Sequence, residues 1–139
     1  MPGYSGTPLA KKLGIKDDFR VALLHVPNEV KTELRGAFAK CQRVIIKDRN
    51  LDFIFVFAKS RASLELELLP AAKALAPAGM LWISWPKKSS GVATDLTEDV
   101  IRQSGLDAGL VDVKVCAVTE VWSGLKFVIP VKNRPKRST

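Results

Sequence analysis

The chain is short of the side chains that carry most enzyme chemistry. It has one histidine, two cysteines and one tyrosine in 139 residues. With His25 alone, and no nucleophile or cysteine close to it, no hydrolytic triad assembles. Cys41 and Cys116 lie far apart and fit neither metal nor redox spacing, so they read as buried free thiols beside strands. No apolar run approaches the about 18 residues of a membrane span, because Asp52 and Lys59 bracket the most hydrophobic segment. The start, Met1-Pro2-Gly3-Tyr4-Ser5-Gly6, lacks the charged-then-apolar order of a secretory signal. No internal repeat or low-complexity segment is present. The expectation is a cytoplasmic protein with no membrane partner and no metal.

What is present suits one domain. The hydrophobic fraction of 47% is too high for a disordered chain. A domain of this length buries about two-thirds of its unfolded surface. The net charge of +8 is partly local: Lys132, Arg134, Lys136 and Arg137 crowd a proline-containing tail. The expected organisation is a single domain over 1–131, followed by a basic, disordered tail over 132–139. Without the tail the remaining charge is an ordinary solubility charge.

Hydrophobic periodicity sets the elements. Thr7-Pro8 opens a short helix that Gly14 stops. Residues 20–26 form a continuous apolar run of strand length, ended by Pro27. Asn28 caps a helix with Val30, Leu34, Ala37 and Phe38 on one face. Residues 43–47 read as a short strand, either antiparallel to the next strand or peripheral, because the turn that follows is too short for a parallel crossover. Residues 53–58 form a second buried strand. A helix follows from Arg61 to Ala76, with Leu64, Leu68 and Leu75 facing the sheet and Pro70 kinking or dividing it. Pro77-Ala78-Gly79 closes that unit, and residues 80–85 form the third buried strand, with Trp82 and Trp85 in the core. A helix over 98–108 and an antiparallel hairpin complete the chain, with 111–117 and 125–131 as alternating strands around Trp122-Ser123-Gly124. The predicted class is α/β: three layers around a mainly parallel, truncated sheet that ends in an antiparallel hairpin.

From Asp52 to about residue 131 the chain resembles the second half of a class I S-adenosylmethionine-dependent methyltransferase. The resemblance rests on the strand Phe53–Ala58, the helix after it, the turn Pro77-Ala78-Gly79, the strand Leu81–Trp85 and the closing helix and hairpin. More narrowly, the chain is similar to a family of small bacterial proteins of unknown function that share Ser5-Gly6-Thr7-Pro8-Leu9-Ala10, Ser84-Trp85-Pro86-Lys87-Lys88-Ser89-Ser90-Gly91 and Trp122-Ser123-Gly124-Leu125-Lys126. The methyltransferase resemblance implies a Rossmann-like sheet and a glycine-rich turn after the first strand, where backbone approaches S-adenosylmethionine. Here that position reads His25-Val26-Pro27-Asn28, without glycine, and Pro27 removes an N–H donor. Asp48 stands about 22 residues past the first strand, near where an acid would hold ribose hydroxyls. The expectation is a degenerate methyltransferase-like domain that does not use this cofactor.

By analogy with that fold, four loops meet at the carboxyl edge of the sheet: 25–28, 59–61, 87–91 and 120–123. They carry the candidate ligand-binding residues His25, Asn28, Arg61, Lys87, Lys88, Ser89, Ser90 and Trp122. Arginine can fork two hydrogen bonds to a phosphate or carboxylate. The lysines, serines and loop N–H groups suit an anion, and Trp122 offers a flat face. The expected function is binding of a small anionic or nucleotide-like ligand by a non-catalytic or weakly catalytic domain. Two alternatives stand beside it. One is nonspecific nucleic-acid binding through Arg43, Lys47, Arg49, the rim lysines and the tail. The other is an interaction module, such as a homodimer paired through the hairpin edge.

Overall fold

The computed structural model describes residues 8–134. Thr7, the Ser5-Gly6 pair and the end of the tail, residues 135–139, lie outside the described residues. Six strands form one sheet: β1 (Arg20–Leu24), β2 (Gln42–Arg43), β3 (Leu51–Phe57), β4 (Leu75–Pro86), β5 (Val111–Ala117) and β6 (Trp122–Val128). Their spatial order is β2-β1-β3-β4-β6-β5. The first four run parallel, and β6 is antiparallel to both β4 and β5. Helices α1 (Leu9–Leu13), α2 (Asn28–Glu33) and α3 (Arg35–Phe38) cover one face, while α4 (Arg61–Ala74) and α5 (Glu98–Asp107) cover the other. The architecture is the three-layer α/β class that the alternating pattern predicts.

Alternation along β3 builds both cores. Phe53, Phe55 and Phe57 point to the α1–α3 side, and Ile54, Val56 and Ala58 to the α4–α5 side. The phenylalanines continue an aromatic row from Phe38 to Trp122, with ring centroids 4.7–6.3 Å apart. Each such ring, fully buried, stabilises the fold by about 1.5–3 kcal/mol. Trp82 and Trp85 are both core residues. On the other side α4 buries Leu64, Leu68 and Ala71, a helical stripe facing the sheet.

Several local expectations change. Asn28 is the first residue of α2 and makes no capping bond, and Pro27 takes the flanking position. The helix breaks at Leu34 into α2 and α3. The strand expected over 43–47 shrinks to Gln42–Arg43, parallel to β1 at the sheet edge. Ile46–Asp48 turns into a 3-10 segment instead. There the Asp48 carboxylate accepts the Ile45 N–H at 2.9 Å. Pro70 does not divide α4. The carbonyl it deprives of a partner belongs to Leu66, an exposed residue where water can serve. Pro77-Ala78-Gly79 lies inside β4 as an irregularity, since Leu51 pairs with Leu75 and Phe53 with Met80. Of the tail, Val131–Asn133 forms a 3-10 turn and Arg134 donates from Nε to the Ile129 carbonyl.

Lys126 is the awkward charge in the sheet. It faces Lys114 across the β5–β6 pair and Trp82 on β4. Burial, and then the Lys114 charge, hold its pKa below the ordinary lysine range. The unfolded chain therefore binds this proton more tightly than the folded one. Stability is expected to rise with pH from the folded pKa toward the ordinary value of about 10.4. Lys126→Met is expected to raise the melting temperature at neutral pH, with the gain fading toward pH ~10.4. Melting curves across that range check it.

Candidate functional site

The strand order reverses direction between β1 and β3, whose connections leave toward opposite sides. In open parallel sheets the ligand crevice lies outside the carboxyl ends of the strands at this point. An open crevice of about 520 Å³ occupies that place. Its walls come from the loop after β1 and the first turn of α2 (His25, Pro27, Glu29), the end of β3 and start of α4 (Phe57, Lys59, Ser60, Ser63), and Val92, Val121 and Trp122. Phe57 and Trp122 meet edge to face at 4.9 Å and give it an aromatic floor.

Three of the four expected loops therefore converge, because the closing hairpin turns at the carboxyl end of β4, where Pro86 pairs with Trp122. Of the expected residues, His25 and Trp122 line the crevice. Asn28 lines a separate groove on the outer side of α2. Arg61, Lys87, Lys88, Ser89 and Ser90 do not line the crevice. The 87–91 loop is a turn closed by its own hydrogen bonds and tied to the hairpin. Lys87 donates its N–H to the Val121 carbonyl at 2.7 Å, and the Ser90 hydroxyl donates to the Lys87 carbonyl at 2.6 Å. The Val92 N–H in turn reaches the Ser90 oxygen at 3.2 Å.

The helix starts near this edge are also spoken for. Ser60 caps α4 by accepting the Ser63 N–H, and the Asp95 carboxylate accepts the Arg61 N–H at 2.8 Å. Thr94 fastens the same loop by donating to the Lys59 carbonyl at 2.6 Å. Asp95 thus serves the start of α4. Thr97 caps α5, whose first turn carries Glu98 and Asp99. A carboxylate at a helix N-terminus takes the place an anionic ligand would favour. The cation that remains in the crevice is Lys59, which the pattern of apolar runs did not single out. Its position one residue past a buried strand was the available signal.

His25 closes one wall. It adopts φ +61°, a left-handed conformation that costs a residue with a Cβ. Its Nε2 lies 3.0 Å from Oε1 of Glu67 on α4. A carboxylate only accepts, so the N–H stands on Nε2. This is where a methyltransferase would place its glycine-rich turn. The positive φ is kept, but a histidine with a Cβ replaces glycine there, and Pro27 offers no N–H. Asp48, the one acid at a ribose-like distance in sequence, is engaged with Ile45. The residues present do not fit S-adenosylmethionine.

Among the described residues no group of three or more histidine, cysteine or acidic side chains is placed to hold a metal ion. Burial raises the pKa of both thiols, Cys41 and Cys116, which makes them poor nucleophiles. No helix of the described residues is long and apolar enough to cross a membrane.

No protein-family model matches the chain, and no curated protein matches it significantly. Solved structures do. A SAM-dependent methyltransferase from Aquifex aeolicus superposes with a TM-score of 0.64 at 14% identity, over 87% of this chain and 88% of that one. A SAM-dependent methyltransferase from Corynebacterium glutamicum gives 0.53 at 10% identity, over 92% and 90%. Magnesium protoporphyrin IX methyltransferase from Synechocystis, solved with bound SAH, gives 0.57 at 10% identity, over 88% and 78%. At such identities the likeness concerns the fold. The chain has the Rossmann-like fold of the class I methyltransferases.

Proposed function

We propose that the protein is a methyltransferase-fold binding domain that holds a small ligand, one flat ring with a negative group, in the crevice between β1 and β3. It binds without methyl transfer. The observation that carries this reading is the pairing of an aromatic floor, Phe57 and Trp122, with the Lys59 side chain in one crevice at the switch point. The ring packs against the small part of Trp122 that the floor leaves exposed, and the ammonium of Lys59 takes the charge, outweighing Glu29 at the opposite wall. Ser60 and Ser63 add polar contacts at the start of α4. Lys87 and Lys88 supply field from outside the crevice rather than direct contact.

The test is a melting-temperature screen with inorganic phosphate, adenine nucleotides, S-adenosylmethionine and SAH. Ligands that bind the folded state raise the midpoint as their concentration passes Kd. A nucleotide is expected to shift it and the two methyltransferase ligands are not. Lys59→Ala is expected to weaken nucleotide binding roughly ten- to a hundredfold, the worth of one charge-assisted hydrogen bond. An unchanged Kd in that variant would remove Lys59 from the site.

A further inference from the structure

The positive charge is concentrated at one end of the sheet. Between residues 31 and 49 there are six lysines and arginines against two carboxylates. One of those carboxylates, Asp48, is bonded to the Ile45 N–H. The other, Glu33, lines a shallow pocket beside the hairpin turn with Glu29 and Glu120. Helix α2 thus sorts its charges, with Glu29 and Glu33 toward the hairpin and Lys31 toward the groove it shares with Arg43.

Two grooves flank that edge on opposite faces of the sheet. On the α2–α3 face, Lys31, Arg35 and Arg43 line an open groove of about 660 Å³. On the α4 face, Lys47, Arg49 and Lys73 line another of about 470 Å³. No carboxylate lines either groove. The arginine–carboxylate pairs among the described residues lie elsewhere, around Arg102. Lys31 and Arg35 stand on either side of the break at Leu34 and both line the same groove.

The edge is also held in shape. The Arg20 guanidinium donates to the carbonyls of Asp48, Arg49 and Asn50 at 3.1–3.4 Å. That clamp keeps Arg49 and Asn50 in left-handed conformations and fixes where the Arg49 side chain leaves the backbone. At the far edge the balance reverses. Glu98, Asp99 and Asp112 gather around Arg102, between α5 and β5.

We propose that the β2 edge binds the sugar–phosphate backbone of a nucleic acid, which its two cationic grooves straddle. A small anion would engage one groove and leave the other idle. A flat anionic membrane would reach one face of the sheet at a time. A flexible or curved polyanion can follow the cations around the edge, and guanidinium groups suit phosphate oxygens. The contacts are to phosphate, so the binding is sequence-independent and falls steeply with salt.

The experiment is fluorescence anisotropy of the full chain with a labelled duplex of about 20 base pairs, and with one of its strands, from about 50 to 200 mM salt. Binding at low salt with a linear log–log salt dependence is expected. Arg35→Gln with Arg43→Gln, and separately Lys47→Gln with Arg49→Gln, should each lower the salt slope by about two and weaken binding at least about tenfold. Lys114→Gln, at the opposite edge, should leave the slope within experimental error. The exposed positions should tolerate glutamine; if a double variant melts early, each single variant is expected to lower the slope by about one. No binding at low salt overturns the proposal. So does wild-type affinity in both groove variants, including the case where removing residues 135–139 alone abolishes binding. Tighter binding to vesicles rich in anionic lipid than to nucleic acid would assign the edge to a membrane and overturn it as well.

Discussion

Replacing Trp82 by alanine is expected to cost about 3–5 kcal/mol, the range for truncating a large buried aromatic. Its side chain is fully buried in the α1–α3 core, in the middle of β4. It also makes the bond that ties the first helix to the sheet: Nε1 donates to the Leu13 carbonyl at 2.9 Å. Trp82→Phe separates the two contributions. It keeps most of the apolar volume but leaves a buried carbonyl without its donor, worth about 1–3 kcal/mol. A domain of this kind has about 5–15 kcal/mol in total, so the alanine variant should lie near the threshold of folding. Urea unfolding followed by circular dichroism measures both. An alanine cost below that of phenylalanine would mean that α1 docks by some other route.

The second large effect is a difference in sign between two glycines. Gly105 is buried in α5, and a methyl group added there would collide with the ring of Phe127. Phe127 is itself fully buried on β6 and cannot swing aside. Overpacking of this kind costs about 1–3 kcal/mol, against a gain in helix propensity of about 1. Gly105→Ala is therefore expected to destabilise, and Gly105→Val to do so strongly. Gly36, in α3, has open space around the corresponding position. Gly36→Ala is expected to stabilise by about 0.5–1 kcal/mol. Equal signs for the two alanine variants would show that α5 does not press on β6 as described.

Much of this architecture is legible in the sequence because burial is periodic. The run 53–58 is apolar on both sides, as a strand between two helical layers must be, and Leu64, Leu68 and Ala71 repeat at helical spacing. The failures occur where a distant group decides. Val44, Ile45 and Ile46 have strand character, but Arg20 draws the following carbonyls into a turn and Asp48 caps it. Ile45 is left 62% exposed. Pro70 is tolerated because the orphaned Leu66 carbonyl sits on the solvent side of α4.

The site shows the same division. That loops 25–28, 59–61 and 120–123 meet follows from strand direction and order. Which side chains enter the crevice does not. Ser90 looks like a ligand group in the sequence, yet its hydroxyl closes a turn by donating to the Lys87 carbonyl three residues away. Lys59 looked ordinary because nothing about a single lysine after a strand marks its direction. The charge asymmetry was visible in the composition, but only the grouping of residues 31–49 and Lys73 around β2 gives it a place.

The most direct test of the central claim follows the three tryptophan indole N–H signals during titration with ADP and, separately, SAH. Trp122 lines the crevice, while Trp82 is held by Leu13 in the core. The expected result is a saturable shift of the Trp122 signal with ADP, little movement of Trp82, and loss of the response in Lys59→Ala. SAH saturating the Trp122 signal at lower concentration than ADP would contradict the account, because it would show that the turn at His25 still admits the methyltransferase ligand.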